Sequence, residues 1–209
     1  MDVHPPHEPI HTKRDFFLHL FTITIGLLIA LSLEGLVEYA HHRHLVREAR
    51  ENIRRELELN HEACQSDIKI VQKNIDQQKA NIDTIHRFMA GGKHLHGSVR
   101  NDFDFDSLNE SAWRTARETG ALSYMSYDEV QRYSDLYMLA DLVNDSSIEI
   151  AKQDFSASAP FAMGYNVEDF PQEEYMRLLH DNANIEVQVN VLKQLVKEYD
   201  DAALIELKR

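Results

Sequence analysis

The chain has 209 residues, of which 43% are apolar and 27% charged, and its formal net charge is −13. That length holds an anchor and one domain, the composition is that of a folded protein, and the acidity repels phosphate backbones and excludes counterion-driven nucleic-acid binding. The lone Cys64 permits no internal disulfide and no zinc cluster, and seven Gly with five Pro leave few turn signals, so the pattern predicts an all-α fold of long helices.

Residues Met1 to His11 carry Pro5, Pro6 and Pro9 among His4, His7 and His11 without an apolar period, and 1–12 is expected to be a mobile tail. Thr12 and Asp15 have the spacing of a capping box that opens a helix near Lys13. Phe16 to Leu33 follows, with no ionised side chain and one histidine, His19, at the membrane-interface end. At ~1.5 Å per residue it covers roughly 27 Å, close to the ~30 Å hydrocarbon thickness of a bilayer. The run is longer than a signal-peptide core and lacks a small-x-small cleavage site, so 13–40 reads as an uncleaved transmembrane anchor and 41–209 as a helical domain. Thr22, Gly26 and Ala30 recur every fourth residue and form a small-residue ridge suited to helix packing in lipid.

No Pro and only Gly35 interrupt the sequence from the span to Met89, which predicts one helix stopped by Gly91-Gly92. Alternating charges over Val46 to Asn60 mark a solvated face, and a heptad seam follows. Ile68, Ile75, Ile82 and Met89 occupy one of its positions and Cys64, Val71, Gln78 and Ile85 the other. Lys93 to Asp106 reads as a loop. Its alternating Asp102, Asp104 and Asp106 fail as a calcium loop, because Ser107 stands where glycine is needed and Trp113 where glutamate is needed. Ser107 with Glu110 and Ser126 with Glu129 make two further capping boxes. The first opens a short helix around Trp113 that ends near Gly120, and the second a helix from Tyr127 to about Gln153. Phe155 to Phe170 reads as irregular cover. Pro171 then starts a last helix, Gln172 to about Leu207, with Leu178, Ile185, Leu192 and Tyr199 at one seam position and Asn182, Val189, Val196 and Ala203 at the other. The two seams suit an antiparallel bundle within one chain, with a parallel homodimer through the first helix as the rival.

Two clusters carry candidate chemistry. Glu34, Glu38 and His41 or His42 share a helix face just after the span, a spacing that fits carboxylate–imidazole metal ligation, with His94 and His96 as further donors if the loop folds back. Membrane di-iron enzymes need many more histidines over several spans, so headgroup-level snorkelling is the plainer reading and no metal or other cofactor is expected. Trp113, Arg114, Tyr133 and Tyr137 form either the wall of a ligand pocket or a core plug, with Gly120 as a left-handed cap beside them. Phosphate loops, nucleophile elbows and metalloprotease motifs are absent from the sequence, which argues against an enzyme.

GLLIALSLEGLVEYAHHRHLVREARENIRRELELN and AWRTARETGALSYMSYDEVQRYSDLY together resemble a family of uncharacterised bacterial single-pass membrane proteins. They share an N-terminal G-x-LIAL span, a charged helix and a W-x-x-A-x-x-TGAL segment. The resemblance implies a place in the bacterial inner membrane and carries no catalytic residue. Lys13 and Arg14 precede the span while Arg43, Arg47 and Arg50 follow it. That count leans toward a cytoplasmic domain, and the position of Glu34 and Glu38 pulls the other way. The expected protein is a membrane-anchored helical interaction or scaffold module that meets the bilayer and either itself or a protein partner. A tethered ligand-sensing bundle is the alternative, and a juxtamembrane metal enzyme a more distant third.

Overall fold

A computed structural model describes residues 13–91 and 97–209. Among the described residues there are four α-helices, α1 (Lys13–Met89), α2 (Ser111–Glu118), α3 (Tyr127–Ala162) and α4 (Gln172–Leu207), two short 3-10 turns and no strand. The chain divides into two compact units, Met1–Arg47 and Glu48–Arg209. The expected tail, the Thr12 cap, His94 and His96 lie outside the described residues.

The first unit is helical from Lys13 onward, and every residue from Phe16 to Leu33 is exposed. One stretch of α1 near its N-terminal end is long and apolar enough to cross a membrane, and none of it is buried. Its hydroxyl side chains bond back to the helix. The hydroxyls of Thr22, Thr24 and Ser32 donate to the carbonyls of Leu18, Leu20 and Leu28, so these three donors are paired along the apolar surface.

The helix runs unbroken to Met89. It stops where Gly91 adopts φ +93°, a left-handed conformation that costs glycine nothing, and the Gly91 amide closes on the Phe88 carbonyl.

The second unit is built on three long helices. Asn81 bonds Asn182, Gln72 bonds Lys193 and Asn60 bonds Tyr199, so α4 runs antiparallel to α1. Arg50 bonds Glu129 and Glu56 bonds Tyr137, so α3 runs parallel to α1. The seams therefore pair within one chain. All eight expected seam positions of α4, Leu178 to Ala203, are buried. On α1 the column Cys64, Val71, Gln78, Ile85 is buried, whereas of the other expected column only Ile75 is, and Ile68, Ile82 and Met89 are half-buried.

The second buried column of α1 is instead polar. Asn60, Asp67, Asn74 and Asn81 recur every seven residues, each at most 7% exposed. They face an extended strap, residues 97–110, which returns from the Met89 end of α1 along its groove with α3. Here the aspartates rejected as a calcium loop find their explanation. Asn101, Phe103 and Phe105 turn inward while Asp102, Asp104 and Asp106 stay exposed, the period of two that an extended chain imposes.

A strap lodged between helices has no ladder partner for its peptides, and an unpaired buried peptide group costs ~1–3 kcal/mol. Side-chain amides take the place of a neighbouring strand. Asn81 donates to the Arg100 carbonyl at 2.7 Å and accepts from the Arg100 amide at 3.0 Å. Asn60 does the same for Asn109 at 2.8 Å in both directions, and Asn144 of α3 for Leu108 at 3.0 and 2.9 Å. Asn74 donates to the Asp104 carbonyl, and Asp154 of α3 accepts from the Phe103 amide.

Two expected boundaries are corrected. The helix containing Trp113 begins at Ser111 without a Ser107/Glu110 box, because the Leu108 and Asn109 amides are committed to the strap's partners and the backbone cannot turn helical before Glu110. Helix α3 continues beyond Gln153 through Phe155 and Pro160 to Ala162. Its seam persists there on Ile150, Asp154, Ala157 and Pro160, and the small and polar members of that series hide it from an apolar pattern. Pro160 is accommodated in the last turn, where the missing amide forfeits one bond.

Asn81→Ala removes the bonds to Arg100 and Asn182 and leaves the Arg100 peptide unpaired, so it should destabilise the full-length chain by about 2–4 kcal/mol in urea unfolding. Glu62→Ala on the exposed face of the same helix should change stability by less than ~0.5 kcal/mol.

Candidate functional site

The sequence offers two clusters, and the fold treats them differently. Along the first unit, Glu38 and His42 approach one turn apart, with Nε2 and Oε1 at 3.9 Å. His41 and His42 sit as tilted neighbours with ring centroids 6.1 Å apart. Glu34, Glu38, His41 and His42 do not converge on a common point. Among the described residues no group of three or more His, Cys, Asp or Glu has the placement to hold a metal ion.

The second cluster is brought together in part. Trp113 lies flat on Tyr137, centroids 5.3 Å apart and planes within 3°, and tilts against Tyr133 at 6.2 Å. Arg114, the next residue of α2, points the other way and is exposed. Gly120 has φ +76° and its amide bonds the Arg117 carbonyl, which ends α2 in a left-handed cap.

What seats Trp113 is a residue the sequence pattern did not single out. Glu56, 5% exposed on α1, accepts the Tyr137 hydroxyl at 2.6 Å on one oxygen, and the Ser111 hydroxyl at 2.9 Å and Ala112 amide at 2.8 Å on the other. It therefore supplies from another helix the N-terminal cap that α2 lacks in its own sequence, where a carboxylate also meets the positive end of the helix dipole. Burial together with the Glu56 carboxylate pushes the Tyr137 hydroxyl well above the usual phenol range, so it stays a donor at any physiological pH.

Charged side chains fasten the same end of the bundle. Arg50 grips Glu129 with two bonds of 2.7 Å, and Arg132 holds Glu206 at 3.1 Å. The Ser126/Glu129 box is therefore half used. The Ser126 hydroxyl accepts the Glu129 amide at 3.3 Å as expected, while the Glu129 carboxylate goes to Arg50 instead of back to Ser126. Tyr133 lines a recess of about 150 Å³ with Arg50, Arg54, Leu57, Glu206 and Leu207. Its cations are already engaged, Arg54 by the Leu207 carbonyl at 3.1 Å. A wider groove of about 360 Å³ lies over Asn52, Arg55, Leu59 and the start of α2.

Cys64 is wholly buried, and burial pushes its thiol up to about 12. It is a small core residue with no thiolate at neutral pH. Nearby on α4, Asp200 accepts Gln65 at 2.8 Å and meets the His61 ring at 2.6 Å.

No protein-family model, curated protein or solved structure matches the chain. The arrangement is that of a fastened structural node. Its polar groups are spent on one another, and the flat face of Trp113 is covered by Tyr137.

Glu56→Ala should cost about 3 kcal/mol by stranding the Ser111, Ala112 and Tyr137 donors, and should shift the emission of Trp113, the chain's single tryptophan. Glu56→Gln keeps an acceptor for α2 and should lose less than half as much. Disulfide-exchange reagents should label Cys64 at least ~100-fold more slowly in the native chain than in denaturant.

Proposed function

We propose that the protein is a non-enzymatic, single-pass membrane protein of the bacterial inner membrane, in which the helical bundle is a tethered interaction module and the anchor self-associates. The observation that carries this reading is the bare apolar surface of α1. Twelve large apolar side chains from Phe16 to Leu33 are each 41–64% exposed. Leaving such side chains in water costs ~1.5 kcal/mol or more apiece, on the order of 20 kcal/mol together, which exceeds the stability of an ordinary domain. A lipid bilayer removes that cost, and the internally bonded Thr22, Thr24 and Ser32 suit the hydrocarbon.

Self-association is supported by the ridge of Thr22, Gly26 and Ala30, which stands open on the helix surface with nothing within 4 Å of a side chain built at Gly26. In the bundle the side chains around Trp113 act as caps and braces, which supports a structural role for that cluster. The resemblance to bacterial membrane proteins supports the bacterial inner membrane, and the Arg43, Arg47 and Arg50 flank supports a cytoplasmic bundle.

The full-length chain should stay in the membrane pellet through an alkaline carbonate wash, and a chain lacking residues 1–40 should be soluble with its helix content intact. Recovery of the full-length chain in the wash would contradict the reading. Gly26→Ile should lower dimerisation of the anchor in a membrane reporter assay by at least ~10-fold, and an unchanged signal would remove the ridge as the contact. An active alkaline phosphatase fused to the C-terminus would place the bundle outside the cytoplasm.

A further inference from the structure

The polar column of α1 reads Asn60, Asp67, Asn74, Asn81, and one member departs from the rule that the others obey. Each asparagine donates its amide to a strap carbonyl. Asp67 is completely buried at the level of strap residue Asp106, yet neither of its oxygens receives a hydrogen bond of good geometry, the Asp106 amide being the donor that comes near. Across the groove on α3, Asp154 is 3% exposed. One of its oxygens holds the Phe103 amide and the other has no donor. The strap is thus faced from both walls by carboxylate oxygens lacking donors, in positions where its other contacts are made by amides.

We propose that the strap is a proton-operated clasp, shut on α1 and α3 when Asp67 and Asp154 are protonated and released when they ionise. A protonated carboxyl gains the donor that the neighbouring asparagines have by nature. An ionised one in the same place is a buried charge without a counterion.

The groups around Asp67 reinforce this. The strap presents Asp106 and Asp104, both of which disfavour its charge, against one Asp106 amide near enough to favour it. On its own helix the neighbour is the Cys64 thiol, which stays neutral, and α4 brings Asp200, which also acts on that thiol. On α3, Asp154 meets a third strap aspartate, Asp102, besides the Phe103 amide. The charged groups that act on Asp67 and Asp154, namely Asp102, Asp104 and Asp106, are all acidic.

Burial leads the causes that push Asp67 up to about 6, and burial likewise raises Asp154. With the strap released, such a carboxyl titrates near its ordinary ~3.9, so the closed state binds the extra proton and closure gains nothing further below ~pH 4. The gain is lost as pH rises from about 4 through 6 and is constant above that. For Asp67 alone the closing constant falls by about 100-fold across that window.

The test is native-state hydrogen exchange on the full-length chain in detergent micelles from pH 4 to 7.5, with opening constants corrected for intrinsic exchange. The Arg100, Phe103, Leu108 and Asn109 amides should open about 100-fold more readily at pH 7 than at pH 4. In D67N, which completes the asparagine column, their opening at pH 7 should fall by about 100-fold relative to wild type. D154N should remove a further, separate share of the pH dependence. Opening constants that ignore pH in wild type, or a pH dependence that survives undiminished in D67N, would overturn the proposal. So would a D67N chain whose circular dichroism and Trp113 emission report misfolding, because the amide stands in for the protonated side chain.

Discussion

A peptide backbone buried against helices must find hydrogen-bond partners, and helices have no backbone groups to spare along their length. In the second unit this constraint falls on the strap, which occupies the groove between the parallel helices α1 and α3. The rest of that unit follows from how the constraint is met. Asn60 and Asn81 on one wall and Asn144 on the other each return both bonds of a strap peptide, and Asn74 and Asp154 hold one bond each.

Spacing makes this possible over a long distance. From Asn60 to Asn81 α1 rises roughly 32 Å at ~1.5 Å per residue, and from Arg100 to Asn109 an extended chain spans roughly 30 Å at ~3.3 Å per residue. One heptad of helix thus matches about three residues of strap. The same asparagines tie in the third wall, since Asn81 also reaches Asn182 and Asn60 reaches Tyr199 on α4. At the foot of the strap its committed amides delay the next helix, and Glu56 then caps α2 and seats Trp113 on Tyr137. Fold direction and local chemistry are one arrangement there.

Where the pattern was apolar, the sequence was legible. The α4 seam, the unbroken first helix, the Gly91 and Gly120 stops and the Ser126 cap stand where periodicity and capping rules put them. What was missed is polar or small. Asn60, Asp67, Asn74 and Asn81 repeat every seven residues, but a scan for apolar seams assigns such residues to solvent and shifts the stripe toward Ile68 and Ile82. The alternation Asp102-Phe103-Asp104-Phe105-Asp106 carries the period of a strand, which its polar composition disguises as an ordinary loop. Glu56 could not be found from local sequence, because its partners lie on α2 and α3 and its role exists only after the bundle has formed. For the same reason neither the seating of Trp113 by Glu56 nor the unpaired oxygens of Asp67 could be read from spacing.

The polar column holds the strap in register, and one added residue distinguishes this from a strap that merely covers the groove. If the strap were an ordinary loop, a single glycine inserted between Asp104 and Phe105 would change its closure entropy by only ~0.1 kcal/mol. In a registered strap the insertion forces the Arg100 side or the Asn109 side out of its paired bonds, at about 1–3 kcal/mol for each peptide left unpaired. Urea unfolding of the full-length insertion variant should therefore show a loss of at least ~3 kcal/mol, and a loss below ~0.5 kcal/mol would contradict the account.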